Sequence, residues 1–302
     1  MASSDESRPS ASRVGVMLAV AAYLLWGVLP GYFLALAPAN AFEVVAARIL
    51  WSLIFCAVLL TVMHAWGAFW AVMRSRRARW TFALAGALIY VNWQTYVLAT
   101  LTGHIVEGAL GYFINPLVTI LLGVFVLHER LRPVQWGAVG IGAAAVVVLT
   151  VEVGQLPWIS LILAFSFGVY GLIKNRVGRN VDAVTGLTVE TLWLTPVAVA
   201  ILAIVQVFGG GLTFGTAGWG HAGLMMSLGV VTAIPLLLFA GAARRVSLVT
   251  VGLTQYLAPI LQFLFGVFVM GESMSVARWV GFSLVWLSLL IISVDVVRRS
   301  RH

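Results

Sequence analysis

Pro116-Leu-Val-Thr-Ile-Leu-Leu-Gly-Val-Phe-Val-Leu-His-Glu129 recurs later in the chain as Pro259-Ile-Leu-Gln-Phe-Leu-Phe-Gly-Val-Phe-Val-Met-Gly-Glu272. Pro116/Pro259, Gly123/Gly266, Phe125/Phe268, Glu129/Glu272 and Trp136/Trp279 all match at an offset of 143 residues. Nearly the same offset carries Trp26-Gly27 onto Tyr170-Gly171 and Trp51 onto Trp193. The chain is therefore read as one unit written twice. Each copy holds five apolar runs of membrane-crossing length. Because five is odd, the second copy enters the membrane in the opposite sense, which predicts an inverted-topology repeat with a site between the halves near the midplane.

Composition agrees. Of 302 residues 62% are hydrophobic and 9% charged, against about 45–50% and roughly 25% in a soluble domain. A soluble enzyme is excluded. So is a β-barrel, whose strands would alternate apolar and polar over about 10 residues. At about 1.5 Å per residue, roughly 20 apolar residues cross the hydrocarbon. Ten such spans are predicted: Arg13–Leu36, Phe42–Met63, Trp80–Thr100, Ile105–Leu127, Val134–Val151, Leu156–Ile173, Ala183–Val207, Gly220–Ala243, Leu248–Met270 and Val276–Val297. The expected organisation is a disordered tail (1–12), a first five-helix repeat (13–151), a second (156–297) and a basic tail (298–302). The polar start MASSDESRPS is not read as a signal peptide. The fold class is thus an all-α polytopic membrane protein of ten transmembrane helices in a 5+5 inverted-topology repeat.

Loop charge sets the orientation, since Lys and Arg are retained on the cytoplasmic side. With both termini cytoplasmic, Arg8, Arg13, Arg74, Arg76, Arg77, Arg79, Arg130, Arg132, Lys174, Arg176, Arg179, Arg244, Arg245, Arg298, Arg299 and Arg301 fall on that side. Of the 18 basic residues only Arg48 and Arg278 do not. The Arg74–Arg79 run is read as such a loop rather than as a nucleic-acid or lipid-signalling patch. The net charge of +8 is topology, and no nucleic-acid partner is expected.

Pro116 and Pro259 lie about 11 and 12 residues into their spans, close to midplane by the helical rise. Each is read as a helix kink that frees a carbonyl, at Tyr112 and Gln255. Tyr112, Asn115 and Thr119 form one polar stripe with Pro116, and Gln255 and Gln262 form its counterpart around Pro259. Hydrogen-bond glue between helices is one account of these groups. Their match across the repeat favours a cavity lining.

Arg48 is the most anomalous residue, since an arginine deep in a span costs about 2.5–3.5 kcal/mol and needs a partner or water. Its repeat mate is Glu190. The inverted repeat places the two near opposite faces, so a direct ion pair is not expected. Arg48 is read as recognising an anionic or carbonyl-bearing substrate, or else as bonding backbone carbonyls. Glu190 is the proton-coupling candidate. Trp26, Trp51, Asn92, Tyr96, Tyr170 and Trp193 complete the predicted substrate-binding set, which suits an amphipathic or flat organic molecule. Trp66, Trp70, Trp80, Trp158 and Trp219 read as interface belt.

His104 and Glu107 are weaker candidates at the outer start of span 4, and Asp295 ends span 10. Glu129 and Glu272 are read as loop or cap residues, Glu43 and Glu152 as outer-loop residues. The small-residue face of span 5, from Gly137 to Ala145, serves either a homodimer or packing within the monomer, the second being preferred. No HExxH, GxSxG or GxxxxGK[ST] motif occurs, and the histidines are scattered. No enzymatic activity, metal, cofactor or ATP-driven transport by this chain alone is expected. The single Cys56 gives no disulfide framework.

Gly111-Tyr-Phe-Ile-Asn-Pro-Leu-Val118, the Glu129-Arg-Leu turn, Ala22-Tyr-Leu-Leu-Trp-Gly27, Arg48-Ile-Leu-Trp-Ser52 and Glu190-Thr-Leu-Trp-Leu-Thr-Pro196 resemble the RarD branch of the EamA family, within the drug/metabolite transporter superfamily. The resemblance covers nearly the whole chain. It implies a ten-helix carrier in the bacterial inner membrane, exporting small organic metabolites or amphipathic drugs in exchange for protons. An importer or exchanger of amino-acid-like solutes, and a non-transporting receptor or assembly partner, are the alternatives.

Overall fold

The computed structural model describes residues 7–128, 130–154, 156–177, 181–243, 245–246 and 254–300. Glu129, Arg179, Arg244 and Arg301 lie outside them. The described residues form helices joined by turns and short irregular segments, without strands. The helices are α1 (Ser7–Gly27), α2 (Leu29–Leu34), α3 (Ala41–Val62), α4 (Trp66–Arg74), α5 (Arg76–Leu101), α6 (Ile105–Leu127) and α7 (Pro133–Val153). There follow α8 (Trp158–Val177), α9 (Ala183–Phe208), α10 (Trp219–Ala243), α11 (Leu257–Leu264), a π-helical turn Phe265–Val269, and α12 (Val276–Ser300). Among the described residues eight helices are long and apolar enough to cross a membrane, and Trp158–Lys174 and Leu257–Val269 are shorter apolar helices. Those two coincide with the expected sixth and ninth spans. The chain is a polytopic membrane protein, because hydrocarbon offers no partner to an open backbone group.

Caps mark where helices begin. The Asn40 side chain accepts from Phe42 N and Glu43 N at the start of α3, both at 3.0 Å. Asp182 does the same for α9, accepting from Thr185 N at 2.9 Å and its hydroxyl at 2.7 Å. These caps are themselves repeat mates, at the offset that relates Arg48 to Glu190. Helix α6 runs unbroken through Pro116, whereas Gln255 and Tyr256 form a turn and Pro259 falls in the first turn of α11, where a missing N–H costs little.

Packing follows the repeat. Helix α3 lies on its mate α9, α6 on α11 and α7 on α12, while α1 against α10 mirrors α8 against α5. Likewise α8 against α6 mirrors α1 against α11, and α3 against α10 mirrors α9 against α5. Two mated glycines let helix backbones come close. A Cβ on Gly86 of α5 would lie 3.1 Å from the Glu190 carbonyl of α9, and one on Gly229 of α10 would lie 2.2 Å from the Trp51 carbonyl of α3. Gly86 and Gly229 are 143 residues apart. Within α7, Gly142 meets Leu117, and the Ser288 hydroxyl of α12 donates to the Ala138 carbonyl at 2.6 Å.

Glu43 and Glu152 depart from the outer-loop expectation, while Glu272 is a cap as expected. Glu43 is no loop residue. It sits fully buried in the first turn of α3 and accepts from Thr213 N (2.8 Å), the Thr213 hydroxyl (2.9 Å) and Phe214 N (3.0 Å). Glu152 lies in the last turn of α7, bonded by the Ser275 hydroxyl. Glu272 caps a helix in the other half, accepting from Ile105 N at 2.6 Å and Val106 N at 3.0 Å. Burial holds its carboxyl above the usual range, against those donors and the nearby His104 and Arg278.

Gly229→Ala should cost at least about 1–3 kcal/mol by overpacking and Gly86→Ala less, read as thermal unfolding of purified protein. Glu272→Ala leaves two N–H groups without an acceptor and should cost about 1–3 kcal/mol, more than Glu272→Gln, which keeps one acceptor.

Candidate functional site

Arg48 lies about two turns into α3, buried to 5% exposure. Its Nε donates to the Thr232 hydroxyl of α10 at 3.0 Å, and that hydroxyl donates in turn to the Leu228 carbonyl at 2.7 Å. The guanidinium carbon lies 4.1 Å from the centre of the Trp93 ring and 5.7 Å from that of Phe33. Cation–π attraction over a desolvated tryptophan is worth about 2 kcal/mol, less than the several kcal/mol that burying a cation costs. No carboxylate pairs with Arg48 among the described residues. Tyr32, Tyr96 and Tyr112 are its polar aromatic neighbours.

Those tyrosines build the rest of the cluster. Tyr112 donates to the Asn92 side-chain oxygen at 3.0 Å, while the Asn92 amide donates to the Leu163 carbonyl and the Ser166 hydroxyl, each at 3.2 Å. The Tyr96 ring packs edge-on to Phe33 and Tyr112, and its buried hydroxyl has no hydrogen-bond partner among the described residues. Tyr32 donates to the Leu224 carbonyl at 2.7 Å and lies 2.8 Å from the Ser227 hydroxyl. Arg48, Asn92, Tyr96 and Tyr112, predicted separately on three spans, thus converge. Phe33, Trp93 and Thr232 join them unpredicted.

A second centre adjoins through aromatic contacts, Tyr112 to Phe167 and Phe167 to Tyr170. Here Glu190, fully buried, accepts from Lys174 Nζ at 2.8 Å and from the Tyr170 hydroxyl at 3.2 Å. The Lys174 ammonium also sits 5.0 Å from the Phe82 ring centre. Lys174 was expected in a loop and is instead the counterion of Glu190. The one available signal was its spacing of four from Tyr170, which puts both on one face of α8.

The other predicted residues sit elsewhere. Trp26 packs with Tyr23 and Phe239, and its carbonyl accepts from the Gln262 side chain at 3.1 Å. The buried oxygens of Gln262 and Asn115 have no hydrogen-bond partner among the described residues. Thr119 is exposed and bonds back to the Asn115 carbonyl at 3.0 Å. Gln255 lies in the turn before α11 beside Tyr256. Trp51 turns to Phe214 in the segment before α10, and Trp193 stacks on Trp80 of α5 at 5.2 Å. Asp295 pairs with Arg132. Among the described residues no group of His, Cys, Asp and Glu could hold a metal ion.

Removing one partner of a buried ion pair costs about 3–5 kcal/mol, whereas removing both can be nearly neutral. Lys174→Gln and Glu190→Gln should therefore each lower thermal stability more than the double variant does, measured as a double-mutant cycle on purified protein.

The EamA-like transporter family model matches residues 156–294, the whole second half. Over 96% of its length the chain is 44% identical to Protein RarD of Streptomyces exfoliatus, covering 91% of that protein. It is 41% identical over 96% of its length to an uncharacterized transporter of Pseudomonas aeruginosa, covering 96% of that one. A protein of known crystal structure shares the fold at a TM-score of 0.56 and 20% identity, over 98% of this chain and all of that one. The chain belongs to the RarD branch of the EamA-like transporter family.

Proposed function

We propose that this membrane transporter is a secondary active exporter of small organic metabolites or amphipathic drugs, coupled to protons and working by alternating access. The observation that carries the reading is the contrast between repeat mates. Helix α3 holds a buried cation with no carboxylate among the described residues, while α9 holds a buried carboxylate with a movable ammonium on it. An anionic or carbonyl group on the substrate would supply what Arg48 lacks, with Tyr96 and Tyr112 as flanking polar contacts and Trp93 as a flat wall. Arrival of a proton on Glu190 would release Lys174, whose side chain is 26% exposed, and so loosen α8 from α9. Substrate and proton then act on mated helices that touch each other.

The mirrored helix contacts support ten spans arranged as a 5+5 inverted repeat. Gly15 lies against Arg245 and Val246, and Arg132 pairs with Asp295 near Arg298, which supports basic ends gathered on one side and both termini in the cytoplasm. A bacterial inner membrane fits the bacterial relatives. A buried guanidinium that no carboxylate meets among the described residues also favours a carboxylate-bearing solute, so an amino-acid-like substrate carried as importer or exchanger is the second reading.

Extracellular metabolites should be compared between cells overexpressing the protein, cells lacking it and cells carrying Arg48→Ala at equal membrane abundance. A solute accumulating outside only with the intact protein is the expected result, and depletion outside would reverse the direction. In proteoliposomes, Arg48→Lys should lower transport of that solute about 10-fold or more because a point charge does not replace a planar fork. Glu190→Gln should abolish proton movement coupled to it. Wild-type transport by both variants would reject the site.

A further inference from the structure

Helix α4 (Trp66–Arg74) occupies a stretch that charge alone marked as a loop. It has two faces. Phe69 and Val72, each 5% exposed, pack inward where α4 meets α5 and α9, and Trp66 fixes its start by donating to the Thr61 hydroxyl at 3.0 Å. The other face presents Trp70, 53% exposed, with Arg74 one turn further on, both exposed. Ser75 breaks the helix in an extended conformation and caps α5 through Ala78 N. Arg79 then ties the two helices together by donating to the Met73 carbonyl at 3.3 Å. Arg76 and Arg77 are therefore held beside Arg74, all three exposed and none in an ion pair among the described residues.

This concentration of cations lacks local compensation. No Asp or Glu occurs in the sequence between Glu43 and Glu107. The acidic residue at the start of the neighbouring α9, Asp182, spends its carboxylate on Thr185. Retention of a loop on one side of the membrane requires charge and no folded shape. Here the charge is gathered where the two-faced helix α4 meets the start of α5, and the arginines are flanked in sequence by Trp70 and Trp80, whose indoles are of the kind that prefer the headgroup boundary.

We infer that the α4–α5 corner is a binding site for anionic phospholipid, its headgroup phosphate held by Arg74, Arg76 and Arg77 and its upper acyl chain laid against Trp70. Arginine forks match a phosphate diester bidentately. A zwitterionic lipid brings its own ammonium or choline cation into the cluster, so selectivity for net negative headgroups follows. The inference is independent of the transported solute.

The test uses the full chain in detergent, given phosphatidylglycerol or phosphatidylcholine of the same acyl chains, with retained lipid counted by native mass spectrometry. A preference of about tenfold for phosphatidylglycerol is expected from three basic side chains near the headgroup. It should fall below about twofold in Arg74→Gln/Arg76→Gln/Arg77→Gln and be partly kept in the matching Lys variant. Trp70→Ala should weaken retention of both lipids. The paired control Arg13→Gln/Arg130→Gln, at other exposed basic positions, should leave the preference intact. An equal loss in that control would reduce the effect to general charge and overturn the site. Full displacement of lipid by millimolar inorganic phosphate would identify a free-anion site and overturn it also. The single Arg77→Gln variant, expected to lose part of the preference with unfolding temperature unchanged, covers the case in which the triple variant fails to assemble.

Discussion

Hydrocarbon gives a buried polar group nothing to bond to, and this one constraint orders the whole molecule. Backbone groups are closed within helices, and ends are closed by side chains such as Asn40, Asp182 and Glu272. Hydroxyls inside the spans bond back along their own helix, as Thr188, Thr191 and Thr232 do. Where a charge must be buried, its surroundings are built around it. Arg48 lies over Trp93, and Glu190 receives both Lys174 and Tyr170. Groups left open under this constraint therefore carry information. The Tyr96 hydroxyl and the oxygens of Asn115 and Gln262 are such groups.

Duplication gives the halves a shared plan and lets their chemistry diverge. The mates α3 and α9 start on matching caps, pack on one another, and are each approached by a glycine of a third helix, Gly229 or Gly86. On that common frame they carry opposite charges, Arg48 and Glu190. The scaffold is symmetric because helix packing depends on shape, which Gly, Ala and Val positions preserve. The charges differ because a buried ionic group depends on the few side chains that face it, Trp93 and Thr232 at Arg48 and Lys174 and Tyr170 at Glu190.

Acidic residues are few, ten in 302, and most of those described join segments far apart in the chain. Glu43 fastens the loop at Thr213 and Phe214, Glu272 the start of α6, Glu190 the end of α8, and Asp295 the start of α7. Scarcity makes each one a specific link between helices rather than solubilising surface.

The apolar spans, the repeat, and Arg48 and Glu190 as anomalies are legible along the chain, because all of these are local or periodic. Helical spacing also put Asn92 with Tyr96, and Tyr112 with Asn115, on common faces. Which faces meet is a matter of packing. Trp93 and Thr232 come to Arg48 from α5 and α10, the latter 184 residues away, and no spacing rule couples positions so far apart. Lys174 counted as loop charge until the fold turned its ammonium onto Glu190. Gln262 matched its stripe but bonds the Trp26 carbonyl, and Trp51 and Trp193 matched each other yet meet unrelated rings, Phe214 and Trp80. Period identifies the face of a helix; the neighbour that covers it is fixed by packing, through contacts that close only when the chain has folded.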